Sequence, residues 1–416
     1  MRVLVAPDAF TGTLTATQAA VAIRRGWARS APADELDLAP LSDGGPGFVE
    51  VMYASLGGQL VSETVTGPLR EPVQATWLLG PDGTAYVEAA SACGLHLIPD
   101  ARRDPAVTTS AGVGDLIAAA VARGARRVIV GVGGTGTTDA GAGLLAALGA
   151  TADHPEVLTG GGGGLRSVTA VDLAPARAAM AGVELVVASD VDVPLLGLRG
   201  ASNGFARQKG ADDASVMLLE GSLEAFAAAV GRQPADDAPG GRDPAVALGA
   251  GAGGGLGYAL LALGGRRVPG IATVTEAVGL TGRAAAADLV LTGEGTFDWQ
   301  SLRGKVVAGV AAAALPSARP VVVLAGRVAV GRREWVAIGV SAAYAVSDIA
   351  PTEAVPPPPG AAAPRSGDAA PRSDDAGPGF DDVVAGSGEA VPGPPEGDPA
   401  ELLAALAARV AKSWSR

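Results

Sequence analysis

The chain of 416 residues contains one cysteine, Cys93, and two histidines, His96 and His154. A lone thiol excludes an internal disulfide and any cysteine-rich metal site. With imidazole so rare, general acid–base work falls to carboxylates. Aromatic side chains make up only 4% of the sequence, so Ala, Val, Leu and Gly have to do the packing. Lysine is scarce too: Lys209, Lys305 and Lys412 stand among basic positions otherwise filled by Arg. No apolar stretch runs unbroken by Gly or charge to the ~20 residues of a bilayer span. The opening Met1–Asp8 lacks the apolar region and small-residue cleavage site of a signal peptide. These absences lead us to expect a soluble, cytoplasmic protein without a membrane partner. The net charge of −12 argues against a nucleic-acid partner, which needs clustered Lys and Arg.

What is present is an apolar chain, 48% hydrophobic, long enough for two domains and some extra chain. Short apolar runs alternate with Ala-rich helical stretches, the pattern of a parallel sheet covered by helices. Strands are expected at Val3–Ala6, Leu36–Leu41, Leu60–Val65, Ala85–Glu88, Arg127–Val132, Glu184–Ala188, Asp288–Leu291 and Pro320–Leu324. Thr15 opens a helix, with Gln18 completing a capping box. Further helices are expected near Ala111–Ala122, Asp139–Leu148, Ala214–Val230 and, at the end, Pro399–Trp414. The Pro-, Gly- and Asp-rich segment 351–398 cannot bury enough apolar surface to offset its chain entropy and reads as a disordered insertion.

Several expected strands run into a loop carboxylate: Asp8, Asp43, Asp190 with Asp192, and Glu294 with Asp298, of which Asp43 and Glu294 stand beside glycine. Asp-Gly pairs are ordinary turn chemistry, but acids at strand exit after strand exit point to the ligand crevice of a doubly wound sheet. Lys209 and Lys305 both sit beside glycine, where a compact charge suits a phosphate. The run Gly131–Gly136 fits G-x-G-x-x-G after a strand. It lacks the second strand and acid expected about 20 residues on in a dinucleotide fold, and reads better as a phosphate cradle. The stretch Gly249–Gly257 serves either as an anion site or for close helix packing, while Gly160–Gly164 reads as a flexible surface loop. Gly200–Gly204 spells a hydrolase nucleophile elbow, yet both histidines precede Ser202, against the Ser-acid-His order of those triads. Acids, loop lysines and glycine turns together fit phosphoryl transfer, which needs positioning and charge neutralisation more than covalent chemistry.

Ala6-Pro7-Asp8, Ser42-Asp43-Gly44-Gly45, Asp190-Val191-Asp192, Gln208-Lys209-Gly210, Gly249–Gly257, Thr292-Gly293-Glu294-Gly295 with Asp298, and Ser301–Lys305 closely resemble the bacterial glycerate kinase family, of the glycerate 2-kinase type. The resemblance implies an α/β fold of two α/β domains: a discontinuous flavodoxin- or Rossmann-like domain from residues 1–75, 285–350 and 399–416, and a second inserted as 76–284. It also implies ATP and Mg²⁺ as cofactors and phosphorylation of D-glycerate, or a close hydroxy acid, in the interdomain cleft. Carried onto this sequence, Asp190 or Asp192 is the expected base, and Glu294 or Asp298 the holder of Mg²⁺. Lys209 and Lys305 would neutralise phosphate or carboxylate. Asp8, Asp43, Gly44, Gly45, Gly133, Gly134, Gln208, Gly293 and Ser301 would line the substrate and nucleotide sites. The chain departs from the family pattern at Ala9, Thr11, Pro46, Phe48, Thr138, Val193 and Arg207, where Ser, Lys, Glu, Thr, Asn, Asn and Pro are usual. Those departures leave room for a catalytically impaired nucleotide or metabolite sensor, and the glycine spelling alone for a nicotinamide dehydrogenase.

Overall fold

The computed structural model describes residues 1–10, 12–231, 243–348 and 397–415. Thr11 and residues 351–396 of the expected insertion lie outside them. The first half of the chain runs β1 (Arg2–Val5), α1 (Ala16–Ser30), β2 (Glu35–Leu38), α2 (Phe48–Leu56), β3 (Gln59–Thr66), β4 (Pro72–Leu79), β5 (Thr84–Glu88), α3 (Ala111–Ala122), β6 (Arg127–Gly131), α4 (Ala142–Ala147) and β7 (Glu184–Ala188). It continues with α5 (Asp213–Gly231), α6 (Ala252–Ala262), β8 (Arg266–Val268), α7 (Gly270–Ala277), β9 (Leu289–Thr292), α8 (Val306–Ala314), β10 (Val321–Ala325), β11 (Ala342–Ala345) and α9 (Pro399–Trp414).

Two sheets result. The first is parallel throughout, in the order β2-β1-β9-β10-β11. The second runs β3-β4-β5-β6-β7-β8, parallel from β5 onward, with β4 and β3 added antiparallel. Strand alternation assigns the faces. Val3, Val5, Leu289, Leu291, Val322 and Leu324 point to a core made with Ile23 and Trp27 of α1 and Leu403, Leu406 and Val410 of α9. Leu4, Val290, Val321 and Val323 point the other way, to a core shared with Tyr86, Ile129, Val186 and Ala188 of the second sheet. The side chains of α2, α7 and α8 fill that shared layer. Val128, Val130, Leu185 and Val187 face a third core with α3 to α6.

The first sheet's face is closed by helices from opposite ends of the chain. The expected capping box on α1 is present: Gln18 N donates to Thr15 Oγ1 at 3.2 Å, and Thr15 N to Gln18 Oε1 at 2.9 Å. Gly26 lets α1 and α9 touch backbone to backbone, since a Cβ there would collide with the Ala404 carbonyl.

Several expectations need correction. Residues 59–75 were expected with the first domain, yet β3 pairs with β4 from Gln59↔Leu79 to Thr66↔Pro72, inside the second sheet. Helix α7, expected in the inserted unit, lies in the layer shared by the two sheets, against both α8 and β7. Gly160–Gly164 is not a loose loop: a Cβ on Gly162 would strike the Thr138 carbonyl, and Ser222 Oγ donates to Gly163 O at 3.2 Å. The second glycine stretch serves close packing. Gly253, Gly254 and Gly255 take φ of 63°, 72° and 98° at a kink, where Gly254 meets the Thr137 carbonyl. Among the described residues one helix, α5, is long and apolar enough to cross a membrane; here Val216, Leu219, Leu223, Phe226 and Val230 along it are buried.

Gly26→Ala should lower stability by about 1–3 kcal/mol, the usual cost of overpacking a tight contact. Chemical denaturation measures it; an unchanged midpoint would show that the α1–α9 contact adjusts freely.

Candidate active site

The strand order 2-1-3-4-5 of the first sheet reverses direction between β1 and β9, and ligands of open α/β sheets bind outside the carboxyl ends of strands at such a point. After β1 the chain turns to α1 on the outer face; after β9 it turns to α8 in the shared layer. That rule puts a ligand between the two exits. Asp8 N donates to Gly293 O at 2.8 Å and Thr292 Oγ1 to Ala6 O at 2.8 Å, fixing the exits side by side. Asp8 and Glu294 therefore face one another's fields.

Asp43 enters from the turn after β2 and Asp190 from the exit of β7 in the other sheet. Burial, then the Asp43 charge, holds the Asp8 carboxyl well above its usual range. Burial pushes Asp190 up to about 7, although Ile271 N donates to its Oδ2 at 3.1 Å; Asp43 pushes it further the same way. Burial pushes Glu294 to about 7 too, with Ser301 and Lys305 pulling down and Asp298 and Asp43 pushing up. Four of the expected acids thus form one interacting group.

The two sheets meet through glycine. Gly133 N donates to Gly44 O at 3.2 Å. A Cβ on Gly133 would lie 2.6 Å from Gly45 Cα, and one on Gly131 2.5 Å from Gly44 O. Gly44 itself has φ +92°, open only to glycine at low cost. Two amides of the glycine-rich turn are committed within the protein: Gly133 N to Gly44 O and Gly136 N to Cys93 O. That turn packs against the Ser42–Gly45 turn instead of offering those groups to phosphate. Helix α4 begins only at Ala142, so the turn does not open a helix as a dinucleotide fingerprint would. Gly293 is likewise a close-approach residue, since a Cβ there would strike the Leu324 carbonyl.

Lys305 is the N-terminal flanking residue of α8, where no side chain caps the helix, and its charge acts on Asp8 and Glu294. Ser301 is buried and its Oγ accepts from Asp298 N at 3.2 Å. Asp298 Oδ1 closes the same turn, accepting from Gln300 N at 2.8 Å. Lys209 does not join this group. Its ammonium is buried and donates to Thr137 O at 2.6 Å, and burial pushes it down to about 8. It braces the glycine-rich turn from beneath. Asp192 is exposed and ion-paired to Arg267, and Gln208 is exposed.

Two residues escaped the sequence reading. Glu88, ending β5, is buried and accepts from Gly47 N at 3.0 Å and Val49 N at 3.4 Å, so the second sheet holds the start of α2. Burial pushes its carboxyl to about 7. Arg267, on β8, places a cation beside Asp190. Three of the departures from the family pattern are packing positions and a fourth lies at the surface. Phe48 is fully buried with its ring edge on Tyr86 at 6.1 Å, Pro46 lies over Gly134, Thr138 is buried, and Arg207 pairs with Asp213 at the surface.

Hard oxygen donors, one lysine and an uncapped helix start suit magnesium and phosphate, and no imidazole or thiol is needed. Glu294 Oε1 is buried without a hydrogen-bond partner, an unmet demand for a cation or donor. Among the described residues no three His, Cys, Asp or Glu side chains form a ready cage. Mg²⁺ does not require one, because water and substrate phosphates commonly complete its shell.

The fold is that of a doubly wound α/β enzyme, and its strand exits bring four carboxyl groups together. Residues 3–355 match the model of the glycerate kinase family, and the chain belongs to that family. It is 40% identical to glycerate 2-kinase of Escherichia coli (strain K12) over 334 residues, 78% of this chain and 85% of that one. It is 45% identical to an uncharacterized protein of Mycobacterium tuberculosis (strain CDC 1551 / Oshkosh), covering 84% and 85%. A crystal structure from Salmonella typhimurium LT2, provisionally named glycerate kinase 2, superposes with a TM-score of 0.68 at 37% identity, covering 83% of this chain and 90% of that one.

The raised Glu88 carboxyl carries a stability consequence. Between its ordinary value of 4.5 and about 7, the unfolded chain binds fewer protons at this site than the folded one. Its contribution to stability is full below that window and falls as pH rises through it. Glu88→Gln should flatten the decline of Tm with pH from about 5 to about 8. An unaltered slope would mean that Glu88 titrates normally. Gly133→Ala should lower kcat/KM with a smaller effect on Tm, because its Cβ would push the two turns apart at Asp43; full activity would mean that the seam has slack.

Proposed function

We propose that the chain transfers the γ-phosphoryl group of ATP to the 2-hydroxyl of D-glycerate, with Mg²⁺, in the cleft where the two sheets, taken as two domains, present their strand exits. The observation that carries this is the meeting of Asp8, Asp43, Asp190 and Glu294 at the switch point opposite Lys305. The relative named for 2-kinase activity favours the 2-hydroxyl.

Asp190 is the base in this reading. A carboxyl near 7 is matched to proton transfer at neutral pH, and its Oδ2 is steadied by the start of α7. The substrate hydroxyl gives its proton to Asp190 as its oxygen bonds to the γ-phosphorus, and the bond from that phosphorus to the bridging oxygen of ADP breaks. Lys305 and the uncapped start of α8 receive the phosphates. Glu294 would hold Mg²⁺, with Asp8 and Asp43 near it; Asp298 is partly committed to its own turn. Bound there, the ion neutralises phosphate charge. Asp192 and Lys209 act at one remove, the first on Arg267 and the second on the glycine-rich turn.

Purified protein should form ADP from ATP only when D-glycerate and Mg²⁺ are supplied, and a phosphorus NMR spectrum should show a 2-phospho product. Asp190→Asn should lower kcat by roughly 10²- to 10⁴-fold without lowering Tm. ATP binding without turnover on any of a panel of hydroxy acids would move the reading to a nucleotide sensor.

A further inference from the structure

The exits of β7 and β8 hold one cation built into the protein. Arg267 is paired in register with Val187 of β7. Its Nε donates to Ser189 O at 3.0 Å, one residue before Asp190. Its stem lies along Gly249, which has φ +85° and would place a Cβ 2.5 Å from Arg267 Cδ. Any side chain at 249 would obstruct that track. The Arg267 side chain is only 19% exposed, and its charge acts on Asp190. Its other contact is an ion pair from Nη2 to Asp192, which is 64% exposed. Among the described residues Nη1 has no protein acceptor.

We propose that Arg267 binds the substrate's carboxylate, and that Asp192 occupies the guanidinium when substrate is absent. This rests on the reading that the site phosphorylates a hydroxy acid. In a 2-hydroxy acid the reacting hydroxyl is on the carbon next to the carboxylate, so the base and the carboxylate-binding cation must be neighbours. Asp190 and Arg267 are. A guanidinium held at Nε keeps its outer nitrogens in a fixed plane, the geometry that receives a carboxylate through two hydrogen bonds. An exposed carboxylate such as Asp192 holds a partner weakly and is readily exchanged for a better one. Arg267 thereby sets specificity for an acid over the corresponding alcohol.

Steady-state kinetics with D-glycerate and with glycerol, which lacks the carboxylate, tests this. Arg267→Gln should raise the glycerate KM at least tenfold, leave the ATP KM unchanged, and reduce the preference for glycerate over glycerol. Arg267→Lys should recover part of that preference. Asp192→Asn should lower the glycerate KM, because a competing carboxylate is gone. A raised ATP KM with an unaltered glycerate KM, or equal rises in both, would overturn the proposal in favour of a phosphate contact or a clip on the β7–β8 loops. So would a raised glycerate KM in Asp192→Asn. Wild-type turnover tests the underlying reading separately. Should wild type fail to turn over, calorimetric binding of D-glycerate that persists in Arg267→Gln would overturn the proposal, and its loss would support it.

Discussion

The site exists because two backbones touch without side chains between them. The Ser42–Gly45 turn of one sheet lies against the Gly131–Gly134 turn of the other, through Gly133 N to Gly44 O and through contacts that leave no room for a Cβ at Gly44, Gly131 or Gly133. Gly270 extends the seam, its α-carbon set against the Asp43 carbonyl. Main chain against main chain is the closest approach two sheets can make. It brings Asp43 of the first sheet within the field of Asp190 of the second, and keeps Asp8 and Glu294 in the same group.

That approach has an electrostatic cost. Carboxyl groups withdrawn from water and set beside one another resist ionisation, which is why Asp8, Asp190 and Glu294 all stand high. The shared apolar layer resists the repulsion: α2, α7 and α8 are packed between the sheets, with Phe48, Met52, Val290 and Val307 fully buried. Glu88 adds a direct tie from β5 to the start of α2. The strained charge arrangement is thus held by packing on both sides. Such a group gains most from positive charge, which the proposed Mg²⁺ would bring.

Much of this was legible in the residues. Acids at strand exits pointed to Asp8, Asp43, Asp190 and Glu294, because turn chemistry explains any one of them better than it explains their recurrence. Lys209 was misleading for a physical reason: a lysine beside glycine looks solvated, and only the fold, with Gly210 at φ +105°, shows the ammonium turned inward to Thr137. Glu88 was read as the last residue of an expected strand and not as an acid in the loop beyond one, so the rule that found the others passed over it. Residues 59–75 were assigned to the first domain because Pro72–Leu79, which begins with Pro and alternates weakly, was not read as a strand, so Leu60–Val65 had no visible partner in the second sheet.

Asp190 and Asp192 show why spacing alone could not divide their roles. Two positions apart on the exit of β7, they share sequence context and chemistry. The start of α7 decides between them: Ile271 N reaches Asp190 Oδ2 and draws that carboxyl into the crevice, leaving Asp192 at the surface against Arg267. Arg266 and Arg267 divide in the same way on β8, where period-two alternation sends Arg266 to Glu184 and Arg267 toward the crevice. One acid of the first pair and one cation of the second are thus turned inward, the acid by a helix start and the cation by strand geometry. The inward pair lies where a hydroxy acid would present its two oxygen functions.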